Sequence, residues 1–250
     1  MSVIIQSTEA GVCTLQMNRA EKLNALNREM YAGLTEGFTQ ANVNEDCRVI
    51  VVKGAPGIFT AGNDIGDFAA ALAEGGGRFN APFLLMQAML GCEKPIVASV
   101  DGAAIGIGIT LLFHCDLVYA SNGASFHTPF ADLGVCPEFG SSVTFANVMG
   151  SHRAAQMLLL GEPMSAVDAE RFGLVNQLVD SEQLDTTVAK VAGKLAAKPL
   201  DALLTSRRLL KPDNAAMLKI IEKEGEQFGR LMNTDEFKTN LQQFLSKGKG

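Results

Sequence analysis

Three short stretches hold the residues whose types and spacing could do chemistry. The run GVCPEFGSS, residues 134–142, carries one carboxylate, Glu138, between Pro137 and the pair Phe139–Gly140. Such an acid has two readings. In the first turn of a helix entered at Pro137 it would answer the positive end of the helix dipole, worth about 0.3–1 kcal/mol. Among apolar neighbours it would be a group kept dry, its pKa raised into a range useful for moving protons. The other two stretches are FTAGNDI (59–65) and DGAAIGIGIT (101–110). Ala61 and Gly62 leave room above the peptide plane, and Asn63-Asp64 can begin a helix with free N–H groups. Gly102, Gly106 and Gly108 permit a tight strand-to-helix turn, although close helix–strand packing alone would also account for them. A dinucleotide fingerprint is not completed, because the position three after Gly108 is Leu111. Together the two loops could offer two N–H donors to one oxygen, and losing one such donor costs about 2.7–4 kcal/mol of transition-state stabilisation.

The elements that must position these loops follow from apolar periodicity. VIIQST and VCTLQMN flank EAG as a hairpin, and NREMYAGLTEGFTQA has helical spacing at Met30, Leu34 and Phe38. RVIVVKG and KPIVASV are continuous apolar runs of strand length, the pattern of strands covered on both faces. RFNAPFLLMQAML, GIGITLLFHC and SHRAAQMLLLG read as helices, and DLVYA and LVNQLVD as further strands. Strands alternating with helices imply an α/β core built of crossover units. AAALAEGGGR, residues 69–78, has the composition of a mobile pocket lip. SAVDAERFG sets Ser165 three residues before Asp168 as a capping box, with Gly173 as the stop. From Ser181 onward three helices are expected, the last spanning about 214–247 with a break near Asn233. Its stripe of Met217, Ile220, Ile221, Phe228, Leu231 and Phe237 must be buried against the core or another subunit.

Composition narrows the function classes. A chain of 250 residues, 47% hydrophobic and 19% charged, is a globular mixture. A formal charge of -6, no run of five like charges, no Trp and two Tyr argue against nucleic-acid binding. Cys13, Cys47, Cys92, Cys115 and Cys136 are odd in number and form no CxxC, which argues against a disulfide framework or zinc site and for a reducing compartment. The N-terminus lacks a basic, apolar leader, no stretch approaches ~18 apolar residues, and SKGKG is not a peroxisomal address. These features lead us to expect a cytoplasmic protein.

NRAEKLNAL (18–26), FTAGNDI and DGAAIGIG, in this order and spacing, resemble the crotonase, or enoyl-CoA hydratase/isomerase, superfamily, and CDLVYAS and residues 160–179 extend the resemblance over nearly the whole chain. It implies a spiral of repeated ββα units over residues 1–195, a helical oligomerisation region over 196–250 that forms a homotrimer or a dimer of trimers, and an acyl-CoA substrate. Carried over by position, it implies that the N–H groups of Asn63 and Ile107 are the oxyanion donors. Coenzyme A contacts would fall near Lys22, Asn24, Leu26 and the strip Ala61, Gly62, Asn63, Asp64, Ile65, with Lys22 the partner for a phosphate. The two glutamates of the hydratase members are absent, since Thr110 and Phe130 stand at their positions. FHTPFADLGVCPEFGSSVTF instead resembles the Δ3,Δ2-enoyl-CoA isomerase branch, whose single catalytic glutamate corresponds to Glu138.

The activity this implies is transfer of a C3 double bond to trans-C2 of an acyl thioester, a step of fatty-acid β-oxidation. It needs one base, two donors and no metal or redox cofactor; coenzyme A belongs to the substrate. Apolar walls such as Phe130 and Phe139 would raise the pKa of Glu138. His127 is expected to be structural, and His114 and His152 lack ligand spacing. Asp64 is expected to cap a helix, Thr110 to hold a water or cap a turn, and Cys136 to do no chemistry. The alternatives are a hydratase-like enzyme and a catalytically silent acyl-CoA-binding protein.

Overall fold

The computed structural model describes residues 2–73, 80–211 and 213–247. The chain opens with β1 (Ile4–Glu9) and β2 (Val12–Met17), joined at Ala10–Gly11, and continues through α1 (Arg28–Val43), β3 (Val49–Lys53), β4 (Ile58–Thr60), α2 (Ile65–Ala73) and α3 (Ala81–Gly91). Then come β5 (Ile96–Val100), β6 (Ala103–Ile105), α4 (Ile107–Thr110), β7 (Leu117–Ser121), β8 (Ser125–His127) and α5 (Phe130–Leu133). The rest is α6 (Ser141–Met149), α7 (Ser151–Leu160), β9 (Met164–Ser165), α8 (Ala166–Arg171), β10 (Gln177–Val179), α9 (Ser181–Ala196), α10 (Leu200–Leu210), α11 (Asn214–Met232) and α12 (Asp235–Lys247). Of the expected pocket lip at 69–78, residues 69–73 belong to α2 and 74–78 lie outside the described residues.

The strands form two sheets. One runs β1-β2-β3-β5-β7-β10, antiparallel at the hairpin and parallel thereafter; the other runs β4-β6-β8-β9, parallel until its last pair. Consecutive strands β3/β4, β5/β6 and β7/β8 each put one member in either sheet before the chain leaves through helical structure. These are the expected repeated ββα turns. Apolar patterning in the sequence marks the strands of the first sheet but not those of the second, whose strands of two or three residues are too short to display an alternating pattern.

The long apolar runs are buried on both faces, as their composition requires. On β3, Ile50 and Val52 join the main core with Phe38, Phe59 and Phe145, while Val49 and Val51 face the other way to a second cluster with Leu184, Val188 and Ala192 of α9. On β5, Ile96, Ala98 and Val100 point to the main core and Val97 to α9. The C-terminal stretch breaks near Asn233, as expected, and of the two covers expected for its apolar stripe the structure shows the core. Four helices follow Ser181, because the chain breaks after Met232, where the Thr234 hydroxyl donates to the Leu231 carbonyl and accepts from the Phe237 N–H. The apolar stripe is also covered within the chain: Met217, Ile221 and Phe237 are buried in the main core, α11 lies on α3, and α12 lies on α5 and α2. Among the described residues no helix is long and apolar enough to cross a membrane.

The sheets hold the candidate loops together through close backbone approach. Gly62 has φ +84°, and a Cβ there would lie 2.6 Å from the Ile105 carbonyl oxygen, whereas Gly57, with φ +79°, has open space around it. Gly57→Ala should therefore cost only the left-handed conformation, about 1–2 kcal/mol, and Gly62→Ala should add overpacking of roughly 1–3 kcal/mol. Urea unfolding of the two variants checks this ordering, and equal losses would contradict it.

Candidate active site

Because β4 and β6 are parallel neighbours, their carboxyl ends open at the same edge, the position where α/β sheets present ligand sites. Beyond β4, residues 61–64 pair with 23–26. The Ala61 N–H donates to the Leu23 carbonyl at 2.9 Å, the Leu26 N–H to Gly62 at 2.7 Å and the Asp64 N–H to Leu26 at 3.0 Å. This alternation turns the N–H of Asn63 to the opposite side of the strip, where it has no hydrogen bond to a described residue. Beyond β6, the Gly106 N–H donates to the His127 carbonyl at 2.9 Å and Ile107 opens α4, whose first N–H groups have no acceptor one turn back. Gly62 packs against Ile105, and a Cβ on Gly108 would lie 2.5 Å from the Thr60 methyl, so the two donor loops touch.

Glu138 stands outside any helix. Phe139 (φ 58°) and Gly140 (φ 72°) turn the chain through two left-handed residues before α6 begins at Ser141, so the reading as a first-turn acid does not hold. The residue is 8% exposed. Its Oε1 accepts from the Thr110 hydroxyl at 2.6 Å, while Oε2 is buried and has no hydrogen-bond partner among the described residues. Burial pushes the Glu138 carboxyl up to about 8, against the lowering effect of the Thr110 hydrogen bond and with help from the negative charge of Glu224. The direction is the one expected, and the contribution of Glu224, 86 residues away in the chain, was not.

Tyr31, Glu224 and Arg19 were not singled out as site residues in the sequence, and His114 was noted there only as lacking ligand spacing. Tyr31, buried on α1, donates its hydroxyl to Asn63 Oδ1, and burial together with the charge of Glu138 holds its own proton well above the ordinary phenol range. Its spacing with Met30, Leu34 and Phe38 reads as core, which hides the polar end. His114 meets the Phe139 carbonyl through Nε2 at 2.7 Å and stacks on the Phe139 ring at 4.0 Å. Burial lowers its pKa to about 4 despite that carbonyl, so the imidazole is neutral and donates. Glu224 of α11 accepts from the Gly140 N–H at 2.6 Å and the Ser142 N–H at 3.0 Å. Its signal was in the sequence, because an acid seven residues after Met217 and four before Phe228 stands inside the apolar stripe. Arg19 binds Asp64 at 2.7 Å.

The expected ligand contacts divide. Lys22 is exposed at the end of a 3-10 turn, and Ala61 and Ile65 are partly exposed. Asn24 and Leu26 have fully buried side chains. Asn24 is committed internally: its Oδ1 accepts the Arg19 N–H at 2.8 Å, and its Nδ2 donates to the carbonyls of Ile58 and Phe59 at 3.2 and 3.1 Å. Asp64 caps α2 as expected, accepting from Gly66 and Asp67. Burial opposes its ionisation, but the Arg19 guanidinium and those two N–H groups outweigh burial and hold it below the usual carboxylate range. His127 is structural, with Nε2 at 2.6 Å from the Gly161 carbonyl.

The fold carrying this site is that of the crotonase enzymes. The chain resembles the crystal structure of an enoyl-CoA hydratase/isomerase from Pseudoalteromonas atlantica with a TM-score of 0.92 and 32% identity, over 98% of this chain and 97% of that one. Over residues 7–250 it matches the family described as enoyl-CoA hydratase/isomerase, and it belongs to that family. It is 33% identical over 225 residues to enoyl-CoA delta isomerase 2 of Rattus norvegicus, covering 88% of this chain and 57% of that protein, so it spans little more than half of that relative's length. To 1,2-epoxyphenylacetyl-CoA isomerase of Escherichia coli it is 36% identical over 206 residues, 80% of this chain and 78% of the other.

The raised Glu138 ties stability to pH with a definite sign. Below about 4.5 the carboxyl is protonated whether the chain is folded or not; between there and about 8 the folded chain holds the extra proton, so stability falls as pH rises through that window. Glu138→Gln is neutral throughout and should gain in melting temperature over the unmodified protein between pH 5 and pH 8, then keep a constant lead. Thermal melts at pH 5, 7 and 9 measure this, and a pH-independent difference would contradict the buried, titrating carboxylate.

Proposed function

We propose that this protein is a Δ3,Δ2-enoyl-CoA isomerase in which Glu138 moves one proton from C2 to C4 of a 3-enoyl thioester. The observation that carries the reading is a dry carboxylate, hydrogen-bonded through one oxygen to Thr110 and without a hydrogen-bond partner among the described residues at the other, beside two backbone donor loops. Oε2 takes the C2 proton, and the electron pair flows through C1 onto the thioester oxygen, which the N–H groups of Asn63 and Ile107 stabilise as an enolate. The enolate collapses with the double bond at C2–C3, and C4 takes the proton back from Oε2. Nothing is consumed. Thr110 keeps Oε1 fixed, so that one lobe of the carboxylate serves both carbons. Lys22 is the candidate partner for a coenzyme A phosphate. The dry site favours the base near neutrality, because a group with its pKa near the working pH exchanges protons most effectively.

Hydration draws less support. Adding water calls for groups that deprotonate water and protonate carbon, and Phe130 has no titratable group while the Thr110 hydroxyl is committed to Glu138. The family likeness also implies a trimer. The exposed Leu209 and Leu210 of α10, at 82% and 85%, are apolar surface that such an assembly would cover, in place of the stripe on α11.

Purified protein given 3-enoyl-CoA of short, medium and long chain should form the conjugated thioester, while trans-2-enoyl-CoA should bind and hardly hydrate. Glu138→Gln should fold, bind, and lose turnover by a factor of roughly 10² or more. Efficient hydration by the unmodified protein, or turnover of an epoxide thioester in place of the 3-enoyl substrates, would replace this reading. Light scattering on the same preparation should return the mass of three chains or six, and a monomer at micromolar concentration would remove the assembly.

A further inference from the structure

Glu224 has no part in the proton transfer just described, yet it is a carboxylate only 8% exposed on the core face of α11. Both of its oxygens accept, Oε2 from the Gly140 N–H at 2.6 Å and Oε1 from the Ser142 N–H at 3.0 Å. Acceptance on both sides is the pattern of an ionised carboxylate. These N–H groups open α6, whose own cap position is Gly140 and has no side chain to receive them. The bond to Gly140 falls on the second of the two left-handed residues that turn the chain after Glu138, and His114 holds the first through the Phe139 carbonyl. The segment carrying Glu138 is thus held at residues 139, 140 and 142 by two side chains from distant elements.

We propose that Glu224 is a positioning residue for the Glu138 carboxylate, acting through the backbone of residues 138–142 and through the negative charge it keeps behind that segment. The inference rests on reading Glu138 as the base. A fixed anion near a buried carboxyl disfavours the second negative charge and so keeps Glu138 protonated to higher pH, in the same sense as its burial. The other titratable groups around the pair are the Tyr31 phenol on α1, the neutral His114 imidazole, and the Cys136 thiol, whose Sγ lies 3.7 Å from the Glu224 carbonyl. Arg230, further along α11, is exposed and hydrogen-bonds Gln227. Among these, Glu224 is the acid that meets the Glu138 segment directly.

Two variants separate position from charge. E224Q keeps the shape, removes the charge and turns an NH2 toward one of the two N–H groups; E224D keeps the charge on a side chain one methylene shorter. The readouts are kcat and KM for a 3-enoyl-CoA, the acidic limb of kcat/KM, and the pH titration of the Glu138 carboxyl infrared band, assigned by its absence in E138Q. In E224Q, kcat should fall by roughly tenfold with KM little changed, and both the acidic limb and the infrared midpoint should move to lower pH, as removal of a like charge requires. In E224D, kcat should fall while the infrared midpoint stays nearer that of the unmodified protein. A role confined to stability would lower the melting temperature and leave kcat and the midpoint of the folded protein in place; that result overturns the proposal. If E224Q does not fold, E224D carries the test, and an unchanged kcat there overturns it. The infrared titration needs no turnover. A protein without isomerase activity whose Glu138 midpoint still moves in E224Q would therefore overturn the function while sustaining the coupling.

Discussion

A buried carboxylate with a single hydroxyl partner among the described residues is the constraint on which the rest of this structure depends. Among the described residues Glu138 has one hydrogen bond, from a hydroxyl, and its Oε2 has none, so its charged form is expensive and its proton is held to about 8. A chain left to itself would relieve that cost by swinging the residue into water. Here the relief is blocked by local geometry: two left-handed residues follow it, one held by His114 and the other by Glu224. Strain and desolvation are tolerated at this point because large buried surfaces elsewhere hold the surroundings in place.

The second, smaller sheet is what gives the carboxylate a purpose. Three-residue strands contribute little stability, but parallel pairing of β4 with β6 brings the ends of two distant loops to one edge. Gly62 against Ile105 and Gly108 against Thr60 set the spacing between those loops by direct contact. Thr110 then reaches from the first turn after one donor loop to the carboxylate, and Tyr31 reaches from α1 to the side chain of Asn63 in the other. The two loops and the carboxylate are therefore linked by direct packing and by these two hydrogen bonds, and a displacement of the Gly106–Thr110 loop would be felt at the carboxylate.

The C-terminal helices belong to the same unit. α11 covers the main core with Met217 and Ile221 and sends Glu224, from the same face, into the segment around Glu138. A region that the family resemblance leads one to expect as an assembly element thus also closes the floor beneath Glu138. Gly140 shows how tight that closure is, since a Cβ there would lie 2.4 Å from the Met217 sulfur.

Much of this was legible along the chain. Continuous apolar runs marked β3 and β5, the 3.6-residue spacing marked α1, and glycine-framed loops after strands marked the donors, because burial on two faces, helical periodicity and close backbone approach each leave a local trace. The aromatic and glycine company of Glu138 raised the possibility of a dry acid, and resemblance over the whole chain chose it over a helix-capping one. What tertiary structure alone decided were pairings between residues far apart: Thr110 with Glu138, Tyr31 with Asn63, Glu224 with Gly140. It also decided that the Asn24 amide is spent inside the chain, on the Arg19 N–H and the carbonyls of Ile58 and Phe59. No periodicity records such facts, because a hydrogen bond across 84 residues of chain depends on where two elements cross, and the crossing is set by the packing of the whole core.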